Sequence, residues 1–362
     1  MAPHLGRVYV LNQGTLSRDS SETPVGPGSI GVLDAATGHP LHTFRFSAHT
    51  HVAPVGAAID ERRGRLFVQT YDQTPAGSPG PARLLMLDAT TGAVLRTITA
   101  TGALAADERT GHIFVGGGRG GVMLDARTGA VIRAIPSGAR VLVAPRLGRA
   151  YVADGDVVRC LDTAMGRALF ALPVRSRYGA RRLTLSLAVD EAARRLVVLD
   201  GEDAVYRPAS MNVYDALSGR AVRLDAAEGG VEAAIDEQTH HVLAVDFLST
   251  NTSAGPTSVT TVDTRAARPV HSVEIGRAIG GQGSIAIYQP TGRAVVTMAD
   301  ASGVPYYGYN ILSVIDTRTG KVLRTMRLGG GPSVVGVDEQ TKRIFVANAL
   351  ANTVDVLNAA RL

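Results

Sequence analysis

The sequence predicts an all-β protein, a β-propeller of four-stranded antiparallel blades with eight repeat units. Two marks recur eight times in register along the chain. One is an apolar run that ends in Asp or Asn before a tight turn, and the other is Arg or His followed by an apolar trio. Val, Ile, Leu and Thr dominate these runs, and apolar residues do not keep helical spacing for more than a turn or two, which indicates strands.

The first mark ends the third strand of each unit. Its residues are separated by 37 to 54 positions, a bounded but irregular period that is typical of propeller blades; they are Asp34, Asp88, Asp125, Asp162, Asp215, Asp263, Asp316 and Asn358. Six of the following turns read Asp-x-x-x-Gly. Because such a turn needs a residue in the left-handed region, we expect positive φ at its glycines, which are Gly38, Gly92, Gly129, Gly166, Gly219 and Gly320.

The second mark begins the second strand of each unit. It starts at Arg7, Arg65, His112, Arg149, Arg195, His241, Arg293 and Arg343. A short apolar run and a turn precede most of these positions, and an alternating run such as Val94-Leu-Arg-Thr-Ile98 follows each Asp-x-x-x-Gly turn. Four short strands per unit, joined by turns, predict a four-stranded antiparallel blade.

The same residues carry a resemblance to a known family. Phe345-Val-Ala-Asn348 through Asn358, and Tyr151-Val-Ala-Asp154 through Asp162, resemble the repeat of the YVTN β-propellers. The resemblance spans the whole chain and implies the propeller fold. It does not imply one activity, because the family's shared residues are structural and its members include binding proteins, lactone hydrolases and lyases.

The repeat count indicates a single domain over residues 1–362 whose first and last blades are incomplete. The segment from Ala2 to Val10 matches that from Ala144 to Val152 at seven of nine positions, so the sequence starts inside a repeat. Only four residues follow Asn358, too few for an outermost strand. The count favours eight blades, and seven blades, as in the family, is the alternative.

Composition gives little information about partners or compartment. The net charge is +5 and the pI about 9.5, but the basic residues are scattered arginines, which argues against a nucleic-acid stripe. The single Cys160 is interpreted as a small core residue. No signal peptide and no apolar run of membrane-spanning length is seen, and an extracellular or periplasmic location stays open if an upstream segment exists. The oligomeric state is left open.

Strand direction predicts where function lies. In an antiparallel blade the 1–2 and 3–4 turns form one face, here called the short-turn face, and the 2–3 loops and 4–1 connections form the other, the long-loop face. Long insertions are all predicted as 2–3 loops: Asn12 to Ser29, Tyr71 to Ala82, Gly201 to Ser210, Phe247 to Ser258 and Asp300 to Asn310. Units three, four and eight have short 2–3 loops, so we expect a raised rim over units five to seven and one to two and a dip over units three and four.

Eight residues of the long-loop face are candidate ligand contacts: His49, His51, Arg177, Tyr178, Glu228, Gln282, Tyr306 and Tyr307. Tyr306 and Tyr307 belong to a tyrosine-rich loop suited to a flat ligand, although packing against a neighbouring loop explains them equally well. His49 and His51 point the same way in an extended segment and suit two metal ligands, but no third ligand is identified. Asp or Asn residues after the second strands cap turns or, alternatively, form a carboxylate ring for a cation.

Catalytic signatures are mostly absent. There is no Gly-x-Ser-x-Gly elbow and no His-Glu-x-x-His motif, and the chain has no Trp, unlike WD-repeat and quinone-binding propellers. We therefore expect a non-catalytic binding or scaffolding protein for a protein, peptide or glycan, with no cofactor. The alternative is a metal-assisted lactone hydrolase or lyase that uses His49, His51, Glu228 and the carboxylates at the strand ends. Single-stranded nucleic-acid binding through residues 175–182 is disfavoured.

Overall fold

The computed structural model describes residues 1–13, 28–46, 51–73, 79–118, 120–174, 182–202, 209–228, 230–247, 255–278, 282–299 and 310–362. The chain is an all-β, eight-bladed propeller, which confirms the predicted fold class and the count of eight over seven. Within the described residues, helix is confined to short 3-10 turns at Pro3–Leu5, Gln289–Thr291 and Ala359–Arg361. Contacts divide the chain into two compact units, Met1–Asp154 with Arg159–Phe170, and Gly155–Val158 with Ala171–Leu362.

Blades 1 to 4 occupy the N-terminal part of the chain. Blade 1 has three described strands, β1 (Arg7–Asn12), β2 (Ser29–Asp34) and β3 (Pro40–Arg45). The next three blades have four strands each: β4 (His51–Asp60), β5 (Arg65–Gln73), β6 (Pro79–Asp88) and β7 (Val94–Ile98); β8 (Leu104–Asp107), β9 (His112–Val115), β10 (Gly121–Asp125) and β11 (Val131–Ile135); β12 (Arg140–Ala144), β13 (Arg149–Asp154), β14 (Val157–Asp162) and β15 (Ala168–Pro173).

Blades 5 to 8 follow in the same order. Three have four strands: β16 (Arg182–Asp190), β17 (Arg195–Glu202), β18 (Ser210–Asp215) and β19 (Ala221–Glu228); β20 (Glu232–Asp236), β21 (His241–Phe247), β22 (Gly255–Asp263) and β23 (Arg268–Ala278); β24 (Gln282–Tyr288), β25 (Arg293–Ala299), β26 (Ile311–Asp316) and β27 (Val322–Arg327). Blade 8 has β28 (Pro332–Asp338), β29 (Arg343–Asn348) and β30 (Thr353–Asn358).

The core lies between neighbouring sheets. Side chains alternate along a strand, so each sheet buries one set of residues on either side. In β5, Phe67 packs with blade 3 residues such as Ile113, whereas Leu66 and Val68 pack with Ile30 of blade 1. Phe67 and Ile113 are fully buried. This alternation explains why the second strand reads as a continuous apolar trio rather than as an alternating run.

The Asp-x-x-x-Gly turns have the predicted geometry. All six glycines have positive φ, between 65° and 77°, which confirms the turn prediction. In the turn after β6, Asp88 Oδ1 accepts the backbone N–H groups of Thr90 and Thr91 and the Thr91 hydroxyl. The backbone N–H of Thr91 is the largest influence on the Asp88 carboxyl, and the pKa of that carboxyl is lowered. The motif is therefore a structural device of the short-turn face.

The short-turn face also links neighbouring blades. In five places a Glu or Gln side chain of one 1–2 turn accepts a backbone N–H from the turn of the preceding blade; the acceptors are Glu61, Glu108, Glu237, Gln289 and Glu339. Below this layer, Asp190 Oδ2 accepts the Thr264 hydroxyl at 2.7 Å and lies 2.9 Å from His240 Nδ1. Repeated bonds of this kind hold neighbouring blades together on this face.

The long-loop face has the longer connections, as predicted. Its 2–3 loops between strands span residues 13–28, 74–78, 203–209, 248–254 and 300–310, while every 1–2 turn has four residues. The loop predicted from Tyr71 to Ala82 is too long, because β5 and β6 continue as a paired hairpin in which Tyr71 is opposite Ala82. Blades 3 and 4 have short 2–3 loops, at residues 116–120 and 155–156.

Candidate functional site

The eight predicted contact residues are described only in part. His49, Arg177, Tyr178, Tyr306 and Tyr307 lie outside the described residues. The backbone of the other three stands at strand ends on the long-loop face: His51 begins β4, Glu228 ends β19 and Gln282 begins β24. Their side chains also lie outside the described part of the chain, so this set stays a prediction.

The Asp and Asn residues after the second strands do not all behave alike. Asp154 is exposed and accepts the Ser137 hydroxyl at 2.5 Å. Asp200, Asp246 and Asn348 are buried, with exposed fractions of 0%, 7% and 2%. Asn348 Nδ2 donates to Asp355 at 3.0 Å and its Oδ1 has no partner in the described structure. Burial of these three side chains does not favour the alternative of a carboxylate ring that faces a channel.

Blade 5 contains a buried polar cluster around Asp200. The carboxylate accepts the Ser210 hydroxyl at 2.7 Å and Asn212 Nδ2 at 2.5 Å, and Asn212 Oδ1 accepts the backbone N–H of Asp225 at 2.9 Å. Tyr214, two residues further along β18, is buried, and burial, with the charges of Asp200 and Asp225, raises its pKa to about 12. The tyrosine is therefore neutral at physiological pH, and the cluster holds β17, β18 and β19 together.

A depression of about 460 Å³ opens on the long-loop face where blade 2 meets blade 3. Its walls come from the N-terminal half of β6, the connection from β7 to β8, and the hairpin of β9 and β10 with its loop. They are formed by Ala82, Thr99, Ala100, Thr101, Val115, Gly117, Gly118, Gly120 and Val122. This volume lies in the range of small-ligand pockets. The depression lies at the boundary between blade 2, where the sequence predicts a raised rim, and blade 3, where it predicts a low rim.

Close backbone packing forms one wall of this pocket. A Cβ on Gly102 would lie 1.1 Å from the carbonyl oxygen of Gly116, and a Cβ on Gly116 would lie 2.3 Å from that of Gly138. Gly102 also donates its backbone N–H to Gln69 Oε1 at 2.9 Å. Glycine is required at these positions because side chains would separate the two connections. These close approaches fix the backbone next to Thr101 and Gly117, which line the pocket.

The described lining of the pocket is uncharged. No described lining residue is charged; the walls present methyl groups of Ala and Val, threonine hydroxyls and glycine backbone. Such a surface suits an uncharged group that carries both apolar surface and hydrogen-bonding atoms. Sequence reasoning identified residues 116–121 only as a hairpin loop. The signal available was five glycines in six positions, but the matching wall at Thr99–Thr101 has no motif of its own.

The described residues were also compared with the requirements of a metal site, a reactive thiol and a membrane-spanning helix. No group of three or more His, Cys, Asp or Glu side chains is placed to hold a metal ion among them. Burial raises the pKa of the Cys160 thiol to about 12, so it is not a nucleophile near neutral pH. No helix of the described chain is long and apolar enough to cross a membrane.

Comparisons with known proteins support the fold. No protein-family model and no curated protein sequence matches the chain. Its structure is similar to that of BamB from Moraxella catarrhalis, with a TM-score of 0.63 and 12% identity over 97% of each chain. It is also similar to the C-terminal WD40 domain of Sif2, with a TM-score of 0.65 and 10% identity over 97% of this chain and 92% of that one. The dihydro-heme d1 dehydrogenase NirN in complex with DHE gives a TM-score of 0.60 and 15% identity over 92% of this chain and 73% of that one. At these identities the similarity shows the fold alone.

Proposed function

We propose that the protein is a non-catalytic binding or scaffolding propeller of the YVTN repeat type that recognises a protein, peptide or glycan through its long-loop face. The asymmetry between the two faces carries this proposal. On the short-turn face, turns of four or five residues are closed by repeated Asp, Glu and Thr bonds. The long-loop face carries the long 2–3 loops and the pocket between blades 2 and 3, whose described lining is uncharged.

The chemistry of the face favours recognition over hydrolysis. The described lining of the pocket has no carboxylate, His, Lys or Cys that could act on its threonine hydroxyls, and the buried Asp200 is bonded to Ser210 and Asn212. Similar folds occur both in a WD40 domain and in a dehydrogenase, so fold similarity does not choose between the two classes. The proposal therefore rests on the face itself.

A matched pair of double variants tests the proposal. The probes are peptide and glycan arrays incubated with the labelled full chain. Tyr306→Ala with Tyr307→Ala alters the predicted aromatic loop, and Arg127→Ala with Arg318→Ala removes two exposed side chains from 3–4 turns of the short-turn face. We expect the first pair to weaken binding to the best array ligand by about 1 to 3 kcal/mol, with little change in thermal stability.

The control pair should bind like the unaltered protein. Loss of binding in the short-turn variant, with the long-loop variant unaffected, would show that recognition belongs to the short-turn face. Absence of any selective array ligand, together with a stoichiometric metal in elemental analysis of the purified protein, would favour the hydrolase alternative.

A further inference from the structure

One wall of the pocket between blades 2 and 3 contains backbone groups without protein hydrogen bonds. Thr99, Ala100 and Thr101 begin the connection from β7 to β8, and all three line the pocket. Within the described residues, their backbone N–H and C=O groups and the two threonine hydroxyls form no hydrogen bond. Ala100 and Thr101 are nevertheless partly buried. Because backbone groups withdrawn from water are usually paired, this stretch is suited to bond with a ligand.

The matching connection of the next blade does not share this property. Residues 136–139 connect β11 to β12, and they are bonded to the end of β13. The Ala139 N–H donates to the Ala153 carbonyl at 2.8 Å. The Ser137 hydroxyl donates to Asp154 Oδ2 at 2.5 Å. The unpaired backbone is therefore specific to the pocket and is not a feature of the repeat.

The floor of the same pocket is apolar. Val115 is 1% exposed and belongs to the core between blades 2 and 3, and Val122 packs against that core. Ala82 adds a further apolar side chain to the described lining. An aliphatic group that covers these side chains binds favourably because it removes apolar surface from water. The described lining therefore combines an apolar floor with a wall of unpaired backbone.

We infer that the pocket binds an extended peptide segment of a partner protein. One aliphatic side chain of the segment covers Val115 and Val122, and the main chain of the segment bonds with residues 99–101. This division between main-chain bonds and a pocket for a side chain is a common mode of peptide recognition. The inference rests on the proposed function, since the pocket belongs to the long-loop face.

A peptide fits this chemistry better than a glycan. The main chain of a peptide carries a C=O and, except at proline, an N–H at each residue, so it can bond with both kinds of unpaired group at residues 99–101. A glycan ring would place hydroxyls against the methyl groups of Val115 and Val122, and polar groups that are buried without a hydrogen bond cost free energy. A peptide with an aliphatic residue is therefore the occupant that the described lining favours.

Two glycines of the long-loop face provide a matched pair of variants. Gly118 is an exposed residue of the pocket lining, and no atom beyond its chain neighbours lies within 4 Å of the position that its Cβ would occupy. Gly329, in the connection from β27 to β28, is also exposed and also has no atom within 4 Å of that position. Neither glycine has a positive φ, so both positions accept a side chain. Gly118→Leu therefore narrows the pocket, whereas Gly329→Leu adds the same side chain elsewhere on the face.

The probe is a synthetic peptide selected from a library of random linear peptides on the full-length chain. It is acetylated, amidated and labelled, and its binding is followed by fluorescence anisotropy. We expect the selected peptide to contain an aliphatic residue and Gly118→Leu to weaken its binding about tenfold or more, because the added Leu side chain occupies the place of that residue. Gly329→Leu should bind within about twofold of the unaltered chain. Thermal unfolding checks that both variants are folded.

Changes in the probe test the site without altering the protein. Aspartate in place of the aliphatic residue should weaken binding about tenfold or more, since a charge would be buried against Val115. Methylation of the probe's backbone nitrogens beside that residue should weaken binding about fivefold, because each methyl group removes a donor for residues 99–101. These two altered probes decide the question if Gly118→Leu does not fold.

The inference is overturned if no peptide is selected, or if Gly118→Leu and the two altered probes bind like their unaltered counterparts. Equal loss in Gly118→Leu and Gly329→Leu also overturns it, because the effect would then not be specific to the pocket. Where Tyr306→Ala with Tyr307→Ala removes binding that Gly118→Leu leaves intact, the proposed long-loop face stands and only the pocket is wrong. Selective binding of an array glycan that Gly118→Leu removes would overturn the inference by showing that the occupant is a glycan.

Discussion

Replacing Gly92 by Ala should destabilise the protein more than its place in a surface turn suggests. Gly92 has φ of 71°, and the left-handed region costs a residue with a Cβ roughly 1–2 kcal/mol. The new Cβ would also lie 2.2 Å from Cδ1 of Phe44 in β3, so the ring must move. Such overpacking costs about 1–3 kcal/mol. The two effects together predict a loss of roughly 2–5 kcal/mol in the free energy of unfolding.

Gly64→Ala is the matched control in the same blade. Gly64 has φ of 61°, and no atom lies within 4 Å of the position that its Cβ would occupy, so only the backbone cost of roughly 1–2 kcal/mol applies. In a Phe44→Ala background, the added cost of Gly92→Ala should fall to that of Gly64→Ala, because the ring is gone.

Urea unfolding followed by far-UV circular dichroism measures these differences. Equal losses for Gly92→Ala and Gly64→Ala would refute the contact between the turn and Phe44. A loss for Gly92→Ala that is unchanged by removal of the Phe44 ring would refute it as well.

Three further predictions concern single side chains. The Asp88 pKa is lowered by folding, so its ionised form contributes stability above the unfolded pKa, near 4, and this contribution is lost as pH falls through the folded pKa. In urea unfolding, the Asp88→Asn variant should therefore have a lower free energy of unfolding than the unaltered protein at pH 7, and the two values should converge at pH 3. A difference between the two values that does not change with pH would contradict this. Because burial raises the pKa of Cys160 to about 12, this thiol should resist alkylation by iodoacetamide in the native protein at pH 8 and react after unfolding in guanidinium. Rapid labelling of the native protein would show that the thiol is exposed. Asn212→Leu should cost about 1.5–3 kcal/mol in thermal unfolding because it removes a donor from the buried Asp200 carboxylate, and a neutral effect would mean that the bond contributes little.

The sequence allows most of the scaffold to be predicted because each blade repeats the same local chemistry. Asp88 and Gly92 mark a turn whose bonds lie within six residues, and such short-range geometry can be predicted from spacing. Eight repetitions of two independent marks also determine the number of blades. The three-stranded described sheets of blades 1 and 8 agree with the same count.

Features that depend on contacts between segments distant in the sequence cannot be predicted in this way. The pocket lies beside Gly102 and Gly116, which belong to two different connections and approach within backbone contact. The glycine run at residues 116–121 can be read from the sequence, but its partner at Gly102 has no motif. Asp200 looks like any Asp that ends a second strand, yet Ser210 and Asn212 of the next strand bury it in a polar cluster. Blade 2 extends its hairpin through Tyr71 and Ala82 because cross-strand pairing continues into a segment whose Gly and Pro content predicts a loop.

Hydrogen–deuterium exchange of the full-length chain, with and without the strongest array ligand, tests the proposed recognition face most directly. We expect protection of backbone amides in the 2–3 loops and 4–1 connections, including Thr101 and residues 116–120 beside the pocket, and no change at the Asp-x-x-x-Gly turns. Protection confined to the turns at Gly92, Gly129 and Gly320 would contradict a functional long-loop face.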